Sequence, residues 1–104
     1  MIRKAHIFTL YPGCEAEYIK RHNPIWPELA RTLSEHGARN YSIFLHRCSR
    51  QLFAYVEIES EARWAAVAQT EICQKWWAEM KDLMESNEDH SPVARPLTEV
   101  FHQD

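Results

Sequence analysis

Residues 18–29 read Tyr-Ile-Lys-Arg-His-Asn-Pro-Ile-Trp-Pro-Glu-Leu, and the first half of the chain is arranged around this stretch. Tyr18 and His22 stand four residues apart, so on a helix they share one face, with a phenol one turn from an imidazole. Asn23-Pro24 is typical of a helix N-cap followed by proline at the first helical position. The sequence therefore predicts that one helix ends and another begins here, with His22 at the corner, where a side chain can line a cleft.

The same stretch also fits a purely structural role. A phenol beside an imidazole can handle protons near neutral pH, because an imidazole titrates at about pH 6.5. Tyr18 and Trp26 can equally be core aromatics, and His22 a solvated helix end. The spacing alone does not separate these two interpretations.

Outward from this stretch, the first half is predicted to be a strand followed by two helices. Ile2–Leu10 alternates between two sets of side chains and ends at Pro12-Gly13, which is typical of a strand closed by a turn. Cys14–His22 is rich in Glu, Ala and Lys, and Asn23–His36 carries apolar residues at helical spacing. Gly37 is a suitable C-terminal cap for the second helix.

The second half repeats this pattern, starting with a hairpin. Tyr41–Leu45 and Gln51–Glu59 alternate in the manner of strands on either side of Cys48-Ser49-Arg50, and Ser60 and Thr70 can each cap a helix. The remaining segments are a helix through Ile72, Trp76, Met80 and Leu83, a loop over Glu85–Pro96 and a last strand over Leu97–His102. This order predicts one domain over residues 1–104, with an α+β, ferredoxin-like βαβ-βαβ fold whose four-stranded antiparallel sheet has its helices on one face.

The predicted sheet carries apolar residues on both faces. In the second hairpin strand, Phe53 and Tyr55 point away from Leu52, Ala54 and Val56. Because the helices cover only one face, the other would expose an apolar patch to water. We therefore predict a symmetric homodimer in which two sheets pack face to face, with the ligand cleft between helices and sheet.

Composition and charge argue against several functional classes. No apolar run approaches the roughly 20 residues that span a bilayer, and no signal peptide is recognisable, so a cytoplasmic protein without membrane partners is expected. Cys14, Cys48 and Cys73 lack C-x-x-C spacing and the six histidines lack metal-binding spacing, so we expect neither a disulfide framework nor a metal site. A net charge of -3 without a basic stripe argues against nucleic acid, and a count of two glycines argues against a glycine-rich phosphate loop.

Several segments together resemble the L-rhamnose mutarotase family over almost the whole chain. They are Arg21–Leu29 with its His-Asn-Pro element, His36-Gly37-Ala38 with Asn40-Tyr41, Phe53-Ala54 with Val56–Glu61, Cys73–Trp77 with its double tryptophan, and Asn87–Asp89 with Ser91–Val93. The resemblance implies an enzyme of the dimeric α/β barrel type that interconverts the α and β anomers of L-rhamnopyranose in rhamnose metabolism. The chain departs from the family mainly in Ile7–Ala16 and after Val93.

The resemblance also implies roles for five side chains. His22 matches the family's proton donor, and Tyr18, Tyr41, Trp76 and Trp77 match its sugar-binding positions. These residue types suit the reaction, since a histidine can move protons near neutral pH and aromatic faces pack on the C–H side of a sugar. Opening and closing a hemiacetal ring requires no metal or cofactor.

Some of these positions have structural alternatives. Tyr41 alternates with Ile43 and Leu45, so its pattern also fits the core. Trp76 and Trp77 point about 100° apart on a helix, so they cannot both face one sugar ring from the same side. At least one of the two tryptophans is therefore expected to pack in the core.

Two other functional classes fit a small ferredoxin-like protein. One is a dimeric monooxygenase, in which His22 and Trp76 would contact haem or an aromatic substrate. The other is a non-catalytic module that binds a sugar without changing the rate at which its anomers exchange. A Soret band would favour the first, and an unchanged exchange rate would favour the second.

Overall fold

Four strands and four helices follow one another in the order predicted from the sequence. The computed structural model describes residues 1–104. The elements are β1 (Ile2–Thr9), α1 (Glu15–Arg21), α2 (Pro27–Glu35), β2 (Ala38–His46), β3 (Gln51–Ile58), α3 (Glu61–Val67), α4 (Glu71–Met80) and β4 (Arg95–Leu97). None of the helices has the length and apolar character needed to cross a membrane.

The strands form one antiparallel sheet in the order β2-β3-β1-β4. β1 pairs with β3 along its whole length, beginning with Ile2 opposite Ile58. β3 pairs on its other side with β2, where a register shift between Arg39 and Ser42 marks a bulge. This topology confirms the predicted ferredoxin-like α+β fold.

One face of the sheet is buried beneath the helices. Leu52, Ala54, Val56 and Ile58 alternate along β3, and each is at most 2% exposed. Side chains of α1, α4, β1 and β3 join in the larger of two apolar clusters on this face. Burying one large aliphatic side chain stabilises the fold by roughly 1.5–3 kcal/mol. The contact between helices and sheet forms most of the core, so it supplies most of this stabilisation.

The predicted helix caps in the second half are confirmed. The Ser60 hydroxyl accepts a hydrogen bond from the backbone N–H of Arg63 at 3.0 Å, and the Thr70 hydroxyl accepts one from Cys73 at 3.3 Å. Gly37 follows α2 with a φ of +87°, in the left-handed region that favours glycine. A Cβ atom at Gly37 would also lie only 3.0 Å from the Cβ of Glu59. Both the positive φ and this close approach disfavour a larger residue at position 37.

The predicted start of the second helix is wrong. Asn23-Pro24 does not begin α2, which starts at Pro27 with Trp26 as its N-cap. The side-chain amide of Asn23 instead donates to the carbonyl of Ile19 at 2.8 Å, near the end of α1. A proline does stand at the first position of α2, as the general preference predicts, but it is Pro27. Asn23 cannot cap this helix, because its side chain is bonded to the preceding one.

The predicted bounds of the last strand, Leu97–His102, are also wrong. β4 covers Arg95–Leu97 and pairs only with Ala5–Ile7, and the residues that follow have no strand partner. Val100 and Phe101 are 93% and 75% exposed. The chain therefore leaves the sheet earlier than predicted, and the fourth strand forms with different bounds.

The second face of the sheet carries no helix. Two rows of side chains cross it, one made of Phe44, Phe53, Ile7 and Arg95 and the other of Ser42, Tyr55, Ala5 and Leu97. Phe44 is 68% and Phe53 37% exposed. We call this surface the open face, and its centre is apolar.

Replacing Ile58 with alanine tests the buried face. Ile58 is 0% exposed, whereas its cross-strand partner Ile2 is 41% exposed. We expect Ile58→Ala to lower the free energy of unfolding by about 2–5 kcal/mol, because it leaves a cavity in the core. Ile2→Ala is the matched control and should cost much less. Equal losses in urea denaturation would contradict the assignment of this face as the core.

Candidate functional site

A cavity of about 760 Å³ lies between the helices and the buried face of the sheet. Its walls come from strands β1, β2 and β3, from all four helices and from the loop that precedes β4. Most of the lining is hydrophobic. Concave, mainly apolar spaces with a few polar groups are typical of small-molecule sites.

All five side chains singled out in the sequence line this cavity. They are Tyr18 on α1, His22 at the end of α1, Tyr41 on β2, and Trp76 and Trp77 on α4. Three separate elements therefore bring them to one space. Proximity in space, which the sequence could not provide, is what makes this group a candidate site.

Aromatic contacts hold the His22 ring in position. The ring centroids of Tyr18 and His22 are 4.3 Å apart, and those of His22 and Trp76 are 5.2 Å apart in an edge-to-face arrangement. Trp26 in turn packs edge to face on Trp76, with centroids 5.0 Å apart. The predicted helical spacing of Tyr18 and His22 thus gives the expected pairing, and Trp76 adds a second aromatic contact to the imidazole.

A hydrogen bond from His22 to the backbone fixes its tautomer. His22 follows the last residue of α1, and its Nδ1 lies 2.9 Å from the carbonyl oxygen of Tyr18. A carbonyl can only accept, so Nδ1 carries the proton and Nε2 is the free nitrogen of the neutral ring. Burial lowers the pKa of His22, and the bond to the carbonyl opposes this effect in part. The ring can gain and lose a proton at Nε2.

The two tyrosines are unsuited to proton transfer near neutral pH. Burial raises the pKa of Tyr18 well above its ordinary value and raises the pKa of Tyr41 to about 12. Both phenols therefore stay protonated and can donate or accept hydrogen bonds. Tyr41 also packs against both apolar clusters and contacts Trp64 edge to face at 6.0 Å, so it is part of the core as well as of the cavity wall.

The adjacent tryptophans differ in their surroundings. Trp76 packs against the larger apolar cluster and contacts both His22 and Trp26. Trp77 lines the cavity but belongs to neither cluster. The expectation that at least one of them packs in the core is met by Trp76.

The sequence reasoning missed several polar side chains of the cavity. His6 on β1 lines it, as do His90 and Ser91 from the loop before β4. The alternation of β1 carried a signal for His6, since it shares a face with Phe8. Nothing in the sequence of the loop indicated that His90 would reach the cavity. No three or more His, Cys, Asp or Glu side chains are grouped so that they could hold a metal ion.

Known proteins match this chain along almost its whole length. A family model described as L-rhamnose mutarotase matches residues 3–103. An L-rhamnose mutarotase of Opitutus terrae is 62% identical over 104 residues, covering 100% of both chains, and one of Tolumonas auensis is 63% identical over 102 residues, covering 98% of both.

A solved structure is also similar along the whole chain. The crystal structure of an L-rhamnose mutarotase from Formosa agariphila is 38% identical, covers 100% of each chain and superimposes with a TM-score of 0.92. At this identity and coverage, the likeness extends beyond the fold to the sequence as a whole. The chain belongs to the L-rhamnose mutarotase family.

Proposed function

We propose that this chain is an isomerase that interconverts the α and β anomers of L-rhamnopyranose, acting as a single domain over residues 1–104. The observation that carries this proposal is the His22 ring, which is held by the Tyr18 carbonyl on the wall of an aromatic cavity of about 760 Å³. A cavity of this size accommodates one monosaccharide. The family membership supports the choice of sugar.

Ring opening needs two proton transfers, ring closure needs two more, and a bond rotation separates them. We propose that protonated His22 gives its Nε2 proton to the ring oxygen while a base takes the proton of the anomeric hydroxyl. The bond between C1 and the ring oxygen breaks, and a C1=O double bond forms. After rotation about the C1–C2 bond, the same steps run in reverse and close the ring with the other configuration, returning the proton to His22.

The lowered pKa of His22 suits this cycle. Burial favours the neutral imidazole, so its protonated form is a stronger acid than an exposed histidine would be. The carbonyl bond at Nδ1 keeps Nε2 as the nitrogen that exchanges the proton. One nitrogen can then act as acid during ring opening and as base during closing.

Sugar binding is proposed for Tyr18, Tyr41, Trp76 and Trp77. The flat faces of aromatic rings match the C–H side of a pyranose, and phenol and indole groups can bind its hydroxyls. The raised pKa values of Tyr18 and Tyr41 keep both hydroxyl protons in place for hydrogen bonding. The two tryptophans extend from one helix in different directions, so they contact different parts of the sugar.

We also propose that two copies pack through their open faces as a homodimer. The support is the apolar row formed by Phe44, Phe53 and Ile7, which crosses three strands with no helix above it. The ion pair between Arg3 and Glu99, with N and O atoms 2.7 Å apart, lies toward the edge of this surface. An apolar centre with a charged rim is typical of a protein interface.

A cytoplasmic location is proposed as well. Cys14, Cys48 and Cys73 are all free thiols, and Cys48 is exposed. Free thiols are usual in reducing compartments, whereas secreted domains of this size commonly rely on disulfides.

Replacing His22 tests the catalytic proposal. We expect His22→Ala to slow anomer exchange of L-rhamnose by roughly 10²- to 10⁴-fold, because it removes the proton-transferring group. Exchange is measured by saturation-transfer NMR. His36→Ala is a matched control, since the Nδ1 of His36 bonds to the Thr32 carbonyl at 2.7 Å in the same spacing but outside the cavity. Full activity of the His22 variant would remove this residue from the mechanism.

The two tryptophans give a second test. Trp76→Ala should weaken L-rhamnose binding roughly tenfold and lower the free energy of unfolding by about 1–3 kcal/mol, since this side chain also packs on the core. Trp77→Ala should weaken binding with a smaller loss of stability. Calorimetric titration and urea denaturation separate the two effects. Unchanged affinity in both variants would rule out a role in sugar binding.

The homodimer is tested at Phe44. Light scattering of the unaltered chain should give about twice the chain mass of 12.3 kDa at low micromolar concentration. Phe44→Asp should give monomer or aggregate, because the dimer would bury an unpaired charge. Ala62→Asp, on the exposed surface of α3, is the control and should remain dimeric. A monomeric unaltered chain would refute this assembly.

A further inference from the structure

His6 lies on the sheet side of the cavity, on β1. It pairs across the sheet with Ala54 of β3 and with Pro96 of β4. Its ring contacts Phe8 edge to face, with centroids 4.8 Å apart. His6 is one of the residues that line the cavity.

On the side of His6 toward Phe8, the buried face of the sheet is apolar. One row of side chains across the buried face contains Leu45, Leu52 and Phe8, and the next contains Ile43, Ala54 and His6. His6 is the only side chain in these two rows that can form a strong hydrogen bond. His6 therefore presents the polar group of this part of the sheet to the cavity.

No group of the chain satisfies the His6 ring. Burial, reinforced by the charge of Lys4, lowers the pKa of His6, and no hydrogen bond contributes to its environment. The nearby Lys4 is itself paired with Glu61 at 3.1 Å. The neutral imidazole therefore offers one donor and one acceptor that no group of the chain uses.

A sugar hydroxyl is the ligand group that matches this ring. Each hydroxyl of a pyranose is both a donor and an acceptor, as is a neutral imidazole. Tyr18, His22, Trp76 and Trp77 all stand on or at the end of helices, so a sugar that contacts them presents its opposite edge to the sheet. His6 lies on that opposite wall.

We propose that His6 hydrogen-bonds to a hydroxyl of the bound sugar other than the anomeric one, and thereby contributes to substrate affinity and specificity. This inference rests on the proposed sugar isomerase function. It assigns His6 to binding and leaves proton transfer at the anomeric centre to His22. The bond is made alike in both anomers and in the open form, so it should affect KM and leave kcat nearly unchanged.

The first experiment compares three variants by saturation-transfer NMR and calorimetric titration with L-rhamnose. His6→Phe should raise KM and Kd by roughly tenfold, with kcat within about twofold, because one hydrogen bond to the sugar is lost. His6→Gln keeps a donor and an acceptor and should recover part of the affinity. His36→Phe makes the same chemical change outside the cavity and should leave KM and Kd unchanged.

The second experiment identifies the hydroxyl with the 2-, 3- and 4-deoxy forms of the sugar. One of these should bind the unaltered chain roughly tenfold more weakly than L-rhamnose does, and His6→Phe should bind that form and L-rhamnose equally well. His6→Leu is measured in parallel, so that the result does not depend on one variant folding. Equal affinities in the two His6 variants are expected.

Several outcomes would overturn the proposal. Unchanged KM and Kd in His6→Phe and His6→Leu would show that no bond to the sugar exists. A loss of 100-fold or more in kcat at unchanged KM in these variants would instead make His6 part of the proton transfer. If the unaltered chain bound all three deoxy sugars equally weakly, no single hydroxyl would be selected, and the role of His6 would be structural. If the unaltered chain fails to exchange L-rhamnose anomers, the proposed function fails and this inference fails with it.

Discussion

The buried face of β3 is the constraint on which the rest of the structure depends. Four alternating side chains of β3 are almost fully shielded from water, namely Leu52, Ala54, Val56 and Ile58. This burial is possible only if β1 and β2 flank the strand and the helices cover it. A slip of one residue in the register would turn all four side chains to the open face. The order of strands, the side on which the helices lie and the position of the cavity all follow from this requirement.

The cavity exists because the two apolar clusters do not fill the space between the layers. One cluster joins α1 and α4 to β1 and β3, and the other lies around Val56 and Ile58. Between them, large aromatic rings meet at their edges and leave room for a small molecule. The same packing that stabilises the helices on the sheet also fixes the His22 ring, since Tyr18 and Trp76 belong both to the core and to the site.

Features that act within one helical turn were predictable from the sequence. Tyr18 and His22 could be paired from their spacing, because residues four apart on a helix are neighbours wherever that helix lies. The caps at Ser60 and Thr70 were predictable for the same reason, since a cap acts within one turn. By contrast, the roles of Tyr41 and Trp76 were open between core and cavity, and the structure shows that each side chain contributes to both.

The sequence by itself determined the local elements, their order and the alternation that gives β3 a buried and an exposed side, because these depend on residues close together in the chain. It did not determine that Pro27 rather than Pro24 begins α2, since the side chain of Asn23 is engaged with α1. Nor did it determine where β4 ends or that His6 reaches the cavity. The end of β4 and the approach of His6 to the cavity depend on contacts between residues far apart in sequence, and only the packing of the strands and helices decides which of them form. The bond from Asn23 to Ile19 spans only four residues, but the side chain of Asn23 could equally have capped a following helix, so the local sequence allowed both arrangements.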